Sequence, residues 1–146
     1  MAKSNLLKTQ DVTFLDLIGN GKKYRVPSFQ RDYAWEEEQW EDLWNDIIEL
    51  RDAPGSLHYM GALVVEASSD RQFQIIDGQQ RVATLSVLAL AVIHRLKTMP
   101  GDEATQAANA DRAAQLRNRF IGEKDPASLL ESSKLFLNDT DDGFYQ

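Results

Sequence analysis

Asp77, Gly78, Gln79, Gln80 and Arg81 stand side by side, and their types are those that handle phosphate. Arg81, in the first turn of the expected helix, has a planar guanidinium fork suited to phosphate oxygens. The five residues lie between an apolar, strand-forming run (Phe73, Ile75, Ile76) and a segment from Gln79 to Met99 without Gly or Pro. That pattern predicts a buried strand turning directly into a buried helix. At such a junction the first helical N–H groups have no partner within the helix and carry partial positive charge, so they can seat an anion. The expectation is a phosphate-handling corner. Asp77 and Gln80 also have capping-box spacing, and on that reading the corner is a helix cap and nothing more.

A second informative stretch is Pro27-Ser28-Phe29-Gln30-Arg31-Asp32-Tyr33-Ala34-Trp35, in which a proline, three aromatics, an amide and an arginine precede a helix. Aromatics in a loop commonly anchor it, and Phe29 and Trp35 read that way. Gln30 and Arg31, between aromatics, have no packing reason to be there and suit hydrogen bonds to phosphate or base edges. Tyr33 serves either as stacking surface or as core. Thr84, one turn into the helix, touches a phosphate or bonds its own helix backbone, the second being preferred.

The elements that must position these residues follow from the rest of the pattern. Residues 1–10 read as a flexible N-terminus. Asp11 to Gly19 reads as a short helix, Asn20-Gly21 as a turn, and Lys23 to Val26 as an alternating strand stopped by Pro27. Glu36 to Arg51 is predicted helical, with Trp40, Leu43, Trp44, Ile47, Ile48 and Leu50 inward and acids on the other face. Asp42, Asp46 and Glu49 have helical spacing for a metal, but without His or Cys they read as solvated charges. His58 to Glu66 is predicted as a strand buried on both faces toward its end, in a hairpin with Gln72 to Ile76; Gly61 permits close approach of a backbone or a ligand.

The helix from Gln79 to about Lys97 is apolar on most of its circumference, which places it at the centre of the domain. A further helix is expected from Glu103 to Phe120, anchored by Leu116, Phe120 and Ile121, then a loop from Gly122 to Pro126. Lys134 to Asn138 reads as a strand before an acidic tail. The fold class is α+β: a small sheet packed against a central buried helix, with additional helices. Residues 11–98 form the expected domain that carries the phosphate-handling corner, and residues 99–146 a helical extension and strand that read as part of a longer polypeptide.

The totals narrow the classes. The chain has 146 residues, no cysteine, and a formal net charge of −7, which excludes disulfides and thiolate chemistry and argues against coating duplex DNA by bulk electrostatics. Residues 1–35 carry six Lys or Arg against three Asp, whereas residues 36–54 carry eight acids against Arg51; an anion site belongs beside the former. The absence of a membrane span and of a signal peptide points to a cytoplasmic location.

With both stretches in view the chain resembles the N-terminal domain of GmrSD-type restriction and phage-defence proteins, marked by Asp-Gly-Gln-Gln-Arg. The resemblance runs through Val26 to Trp35, Met60-Gly61-Ala62-Leu63-Val64, and Ile75 to Leu85. It implies a ParB/sulfiredoxin-like fold and binding and hydrolysis of a nucleoside triphosphate with Mg²⁺, coupled to cutting of modified foreign DNA. The cutting would belong to a C-terminal nuclease domain or partner subunit; no nuclease activity is expected here, since His58 and His94 lie outside any metal-nuclease spacing. Sulfiredoxin's cysteine chemistry is excluded, and the nucleotide base and oligomeric state stay open. Carried over, Asp77 would position Mg²⁺ or the attacking water, and Arg81 would neutralise charge on the transferring phosphoryl group. Gln79 and Gln80 would orient phosphate or water, Gly78 would admit the phosphates, and Gln30, Arg31 and Tyr33 would close the site. The alternatives are a reader of modified DNA or nucleotide without turnover, and a protein interaction domain.

Overall fold

The computed structural model describes residues 11–18, 21–27, 32–55, 61–124, 127–128 and 131–137. Its sheet is built around a strand of three residues, β1 (Lys23–Arg25), whose alternation buries Tyr24 and leaves the flanking basic residues outward. On one side β1 pairs in parallel with β3 (Gln72–Asp77), Tyr24 opposite Phe73; on the other it pairs in parallel with β6 (Leu135–Phe136). The antiparallel strand β2 (Val64–Ala67) closes the β3 edge, giving the order β2-β3-β1-β6. Three parallel strands therefore end along one edge. Tyr24, Val26, Ile75 and Leu135 meet Val82 and Ala83 of the long helix α3 (Gln79–Thr98) in the core.

The remaining helices are α1 (Phe14–Ile18), α2 (Glu37–Asp52) and α4 (Glu103–Phe120). In α4, Asp102 caps the first turn by accepting from the Thr105 N–H at 2.7 Å, and hydrogen bonding to Thr105, from its side chain first and its backbone second, holds the carboxyl below the usual range. The helix packs along α3 and reaches α1 through a stacked pair, Phe14 on Phe120 at 5.8 Å. A separate hairpin joins β4 (Gly122–Lys124) to β5 (Glu131–Ser133), immediately before β6. Between them Lys134, 2% exposed, donates from Nζ to the carbonyl of Ile18 at 3.0 Å and ties this end of the chain to α1. Among the described residues no helix is long and apolar enough to cross a membrane.

The mixed α+β class holds, while several elements differ from their expected form. The second strand starts only at Val64 and is largely exposed, because β2 is the sheet's edge and has a neighbour on one side only. Gly122 to Lys124, expected as loop, is a strand because residues 131–133 return to pair with it. Burial of α3 is confined to the residues facing the sheet and α4: Val82, Ala83, Ser86 and Ile93 are inside, whereas Val87 and Val92 are 53% and 44% exposed. In α2 only Leu43 is buried, and Trp40 and Trp44 are 47% and 52% exposed, not inward. In α4 the buried residues are Asn109 and Ala113, while of the expected anchors Leu116, Phe120 and Ile121, all half-buried, Phe120 stacks on Phe14. The expectations for residues 1–10, Gly19-Asn20, Ser28 to Arg31, His58 to Met60 and Asn138 onward lie outside the described residues.

Two measurements test this architecture. Leu135 is fully buried, so Leu135→Ala should cost about 2–5 kcal/mol in denaturant unfolding; a negligible change would show that β6 is not part of the core. The Tyr24 hydroxyl donates to the Leu17 carbonyl at 2.6 Å, and burial pushes its pKa from 10.0 up to about 12. The unfolded chain gives up this proton first, so the contribution is whole below pH 10.0 and is lost as pH rises toward about 12. Tyr24→Phe should flatten that alkaline fall.

Candidate functional site

Because β1 and β3 are adjacent and parallel, the loop leaving β1 and the turn leaving β3 emerge at the same sheet edge. β2 runs the other way, so the residues entering it, 61–63, arrive at that edge too. This is the topology in which α/β sheets generally place ligands, outside the carboxyl ends of parallel strands. Here it brings three segments distant in sequence around the head of α3.

At the corner itself Asp77 ends β3 opposite Val64, next to a register shift between Val64 and Val65 that leaves Ile76 as the extra residue of a bulge. Such bulges bend a strand and re-aim its side chains, and Asp77 is exposed. Gly78 follows as the N-cap with φ 95°, a left-handed conformation that only glycine adopts freely. Its pro-side-chain face is already occupied: a Cβ there would lie 2.8 Å from Leu63 Cδ1 and 3.1 Å from the Ala62 carbonyl oxygen. The need for glycine at this position thus has a packing cause.

The capping box does not form. The helix begins after Gly78 with no side-chain cap, and the Gln80 side chain turns elsewhere. Its Oε1 accepts from the Ala34 N–H at 2.7 Å and its Nε2 donates to the Asp32 carbonyl at 3.1 Å, spanning the loop on both sides of Tyr33. Gln80, 6% exposed, is the latch that brings the two motifs together. Gln79 is 9% exposed at the first helical position.

Tyr33 enters a line of hydrogen bonds with one consistent direction. Thr84 gives its only hydroxyl proton to the Gln80 carbonyl at 2.8 Å, as its helical position suggests, so its 2.6 Å contact with Tyr33 uses the tyrosine proton. The Tyr33 oxygen in turn accepts from Trp40 Nε1 at 2.7 Å. This explains Trp40's exposure: the indole reaches over the loop instead of turning under α2. Sequence reasoning missed this contact, which joins Trp40 in the first turn of α2 to a tyrosine in the loop before that helix. It also gave Trp35 only an anchoring role, whereas the Arg81 guanidinium carbon lies over the Trp35 ring, 5.7 Å from its centroid.

Asp77, Gly78, Gln79, Gln80, Arg81 and Tyr33 are thus gathered at one place, and Gln30 and Arg31 lie outside the described residues. Among the described residues no three His, Asp or Glu converge as a metal cluster. The donor set around Asp77 is that of a single exposed carboxylate, which fits a cation completed by phosphate oxygens and water, the usual manner of Mg²⁺.

A family profile described as GmrSD restriction endonuclease, N-terminal domain, matches residues 14–145. The chain belongs to this family, and its setting is a restriction system. No curated protein matches it.

The latch is open to direct test. Gln80→Ala removes the acceptor of the Ala34 N–H and the amide donor to the Asp32 carbonyl and should cost about 1–3 kcal/mol of stability. Faster amide exchange at Ala34 should accompany it, with little change at Ile75. Unchanged exchange at Ala34 would remove Gln80 from this role.

Proposed function

We propose that the corner from Asp77 to Arg81 binds and hydrolyses a nucleoside triphosphate with Mg²⁺, as the regulatory domain of a restriction protein acting on modified foreign DNA. The observation that carries this reading is the head of α3, whose N-cap is Gly78 and which has no side-chain cap among the described residues. Its first N–H groups are directed at the edge where Asp77 is exposed and Arg81 is near, so partial positive charge, a guanidinium and a carboxylate share one locality. A polyphosphate with a bound cation is the ligand that uses all three.

In this reading the α3 N–H groups and Arg81 hold phosphate oxygens, and Arg81 stabilises the charge that shifts between them during transfer. Mg²⁺, held by Asp77 together with those oxygens, would supply charge neutralisation. Asp77 or Gln79 orients the attacking water. Gln80 acts on the loop, through Asp32 and Ala34, and Tyr33 holds the same loop against Thr84. Gln30 and Arg31 are assigned by family resemblance to closing the site. DNA cleavage would be the work of a C-terminal nuclease domain or partner subunit.

Purified protein should release phosphate from at least one NTP in the presence of Mg²⁺. Asp77→Asn and Arg81→Ala should each lower that release by about 10²-fold or more with unfolding midpoints retained. Turnover unaffected in both variants would dispose of the assignment, and saturable binding without release would favour a nucleotide reader.

A further inference from the structure

Gly61, the residue two before Leu63 at the entry to β2, has φ 102°, a conformation L side chains rarely adopt. A Cβ built on it would collide with Nη1 of Arg81 and lie 3.2 Å from its Cζ. The guanidinium therefore rests against bare backbone. It is also within reach of the Trp35 ring, with Cζ 5.7 Å from the centroid, inside the ~6 Å range of a cation–π contact. Among the described residues no carboxylate forms an ion pair with it.

That arrangement has a chemical consequence. An arginine oriented by a carboxylate has spent donors on it, whereas one oriented by a ring face and a Cα keeps its N–H groups for an incoming anion. Holding it in place also removes rotamer freedom that a ligand would otherwise have to restrict. We propose that Trp35 and Gly61 are positioning residues that clamp the Arg81 guanidinium beside the head of α3, and that residue 61 is glycine because any side chain there expels it. Each of the three comes from a different segment of the sheet edge: the loop after β1, the entry to β2 and the first turn of α3. The consequence for catalysis rests on the nucleotide reading; the clamp itself is a statement about Arg81 and is tested without ligand.

The ligand-free arm is an NMR measurement of the Arg81 Nε–H resonance. In the wild-type chain the Trp35 ring current should displace this proton from its random-coil position. Gly61→Ala and Trp35→Leu should each return it, and Trp35→Phe should keep part of the displacement. A wild-type resonance at the random-coil position, or one that Gly61→Ala leaves in place, overturns the clamp.

The second arm titrates Mg²⁺ complexes of ATP, GTP, CTP and UTP. Gly61→Ala should weaken binding about tenfold or more, as Arg81→Ala does, and should add nothing in the Arg81→Ala background. Backbone strain at residue 61 persists in that background, so losses that add in the double variant overturn the clamp. Trp35→Leu, which introduces no such strain, should give a loss in the same direction if Gly61→Ala fails to fold. Failure of the wild-type chain to bind any of the four overturns the nucleotide reading, while the resonance still decides the clamp.

Discussion

The carboxamide of Gln80 is the contact on which the site depends. It is buried at the head of α3, it both accepts and donates, and its two partners are backbone groups on either side of Tyr33. A buried amide that spends both functions on main chain is costly to misplace, because its loss breaks two hydrogen bonds at once. One side chain thereby converts two motifs separated by more than forty residues of sequence into a single surface. The bonds from Trp40 to Tyr33 and from Tyr33 to Thr84 reinforce the same junction from α2.

Behind that contact stands the sheet. Parallel pairing of β1 with β3 sends both following segments to one edge, and the antiparallel β2 returns Gly61 to Leu63 to it. The core beneath, with Ile75 and Leu135 fully buried, holds the edge in place. Gly78 shows how closely the layers meet, since the room a side chain would need is taken by Ala62 and Leu63. The absence of a side-chain cap on α3 among the described residues is then compatible with a well-ordered helix start, because tertiary packing secures the first turn.

Local signals carried much of this into the sequence. The bounds of α4 and the start of α3 could be read from periodicity and from punctuation by Gly and Pro, and β3 from its apolar run. The chemistry of Asp77 to Arg81 was visible as a set of residue types. What the sequence does not display is non-local. Gln80 has the spacing of a cap, and only the arrival of residues 32–34 beside it shows that its amide is used across the loop. The exposure of Trp40 and Trp44 escapes helical periodicity, which reports an apolar face and not whether anything covers it. Gly122 to Lys124 carries no strand pattern of its own and becomes a strand through its partner. Gly61 allowed close approach by backbone or ligand, but that the visitor is the Arg81 guanidinium required coordinates.

The central claim is that the head of α3 and the loop it latches form one seat for a Mg²⁺-bound nucleoside triphosphate. Backbone amide shift mapping during titration with a nonhydrolysable Mg²⁺–NTP analogue tests it most directly. The account predicts saturable shifts concentrated at Gly78 to Arg81 and at Ala34 and Trp35, with the exposed middle of α3 around Val87 unaffected. Absence of saturable shifts, or shifts gathered away from this sheet edge, would contradict it.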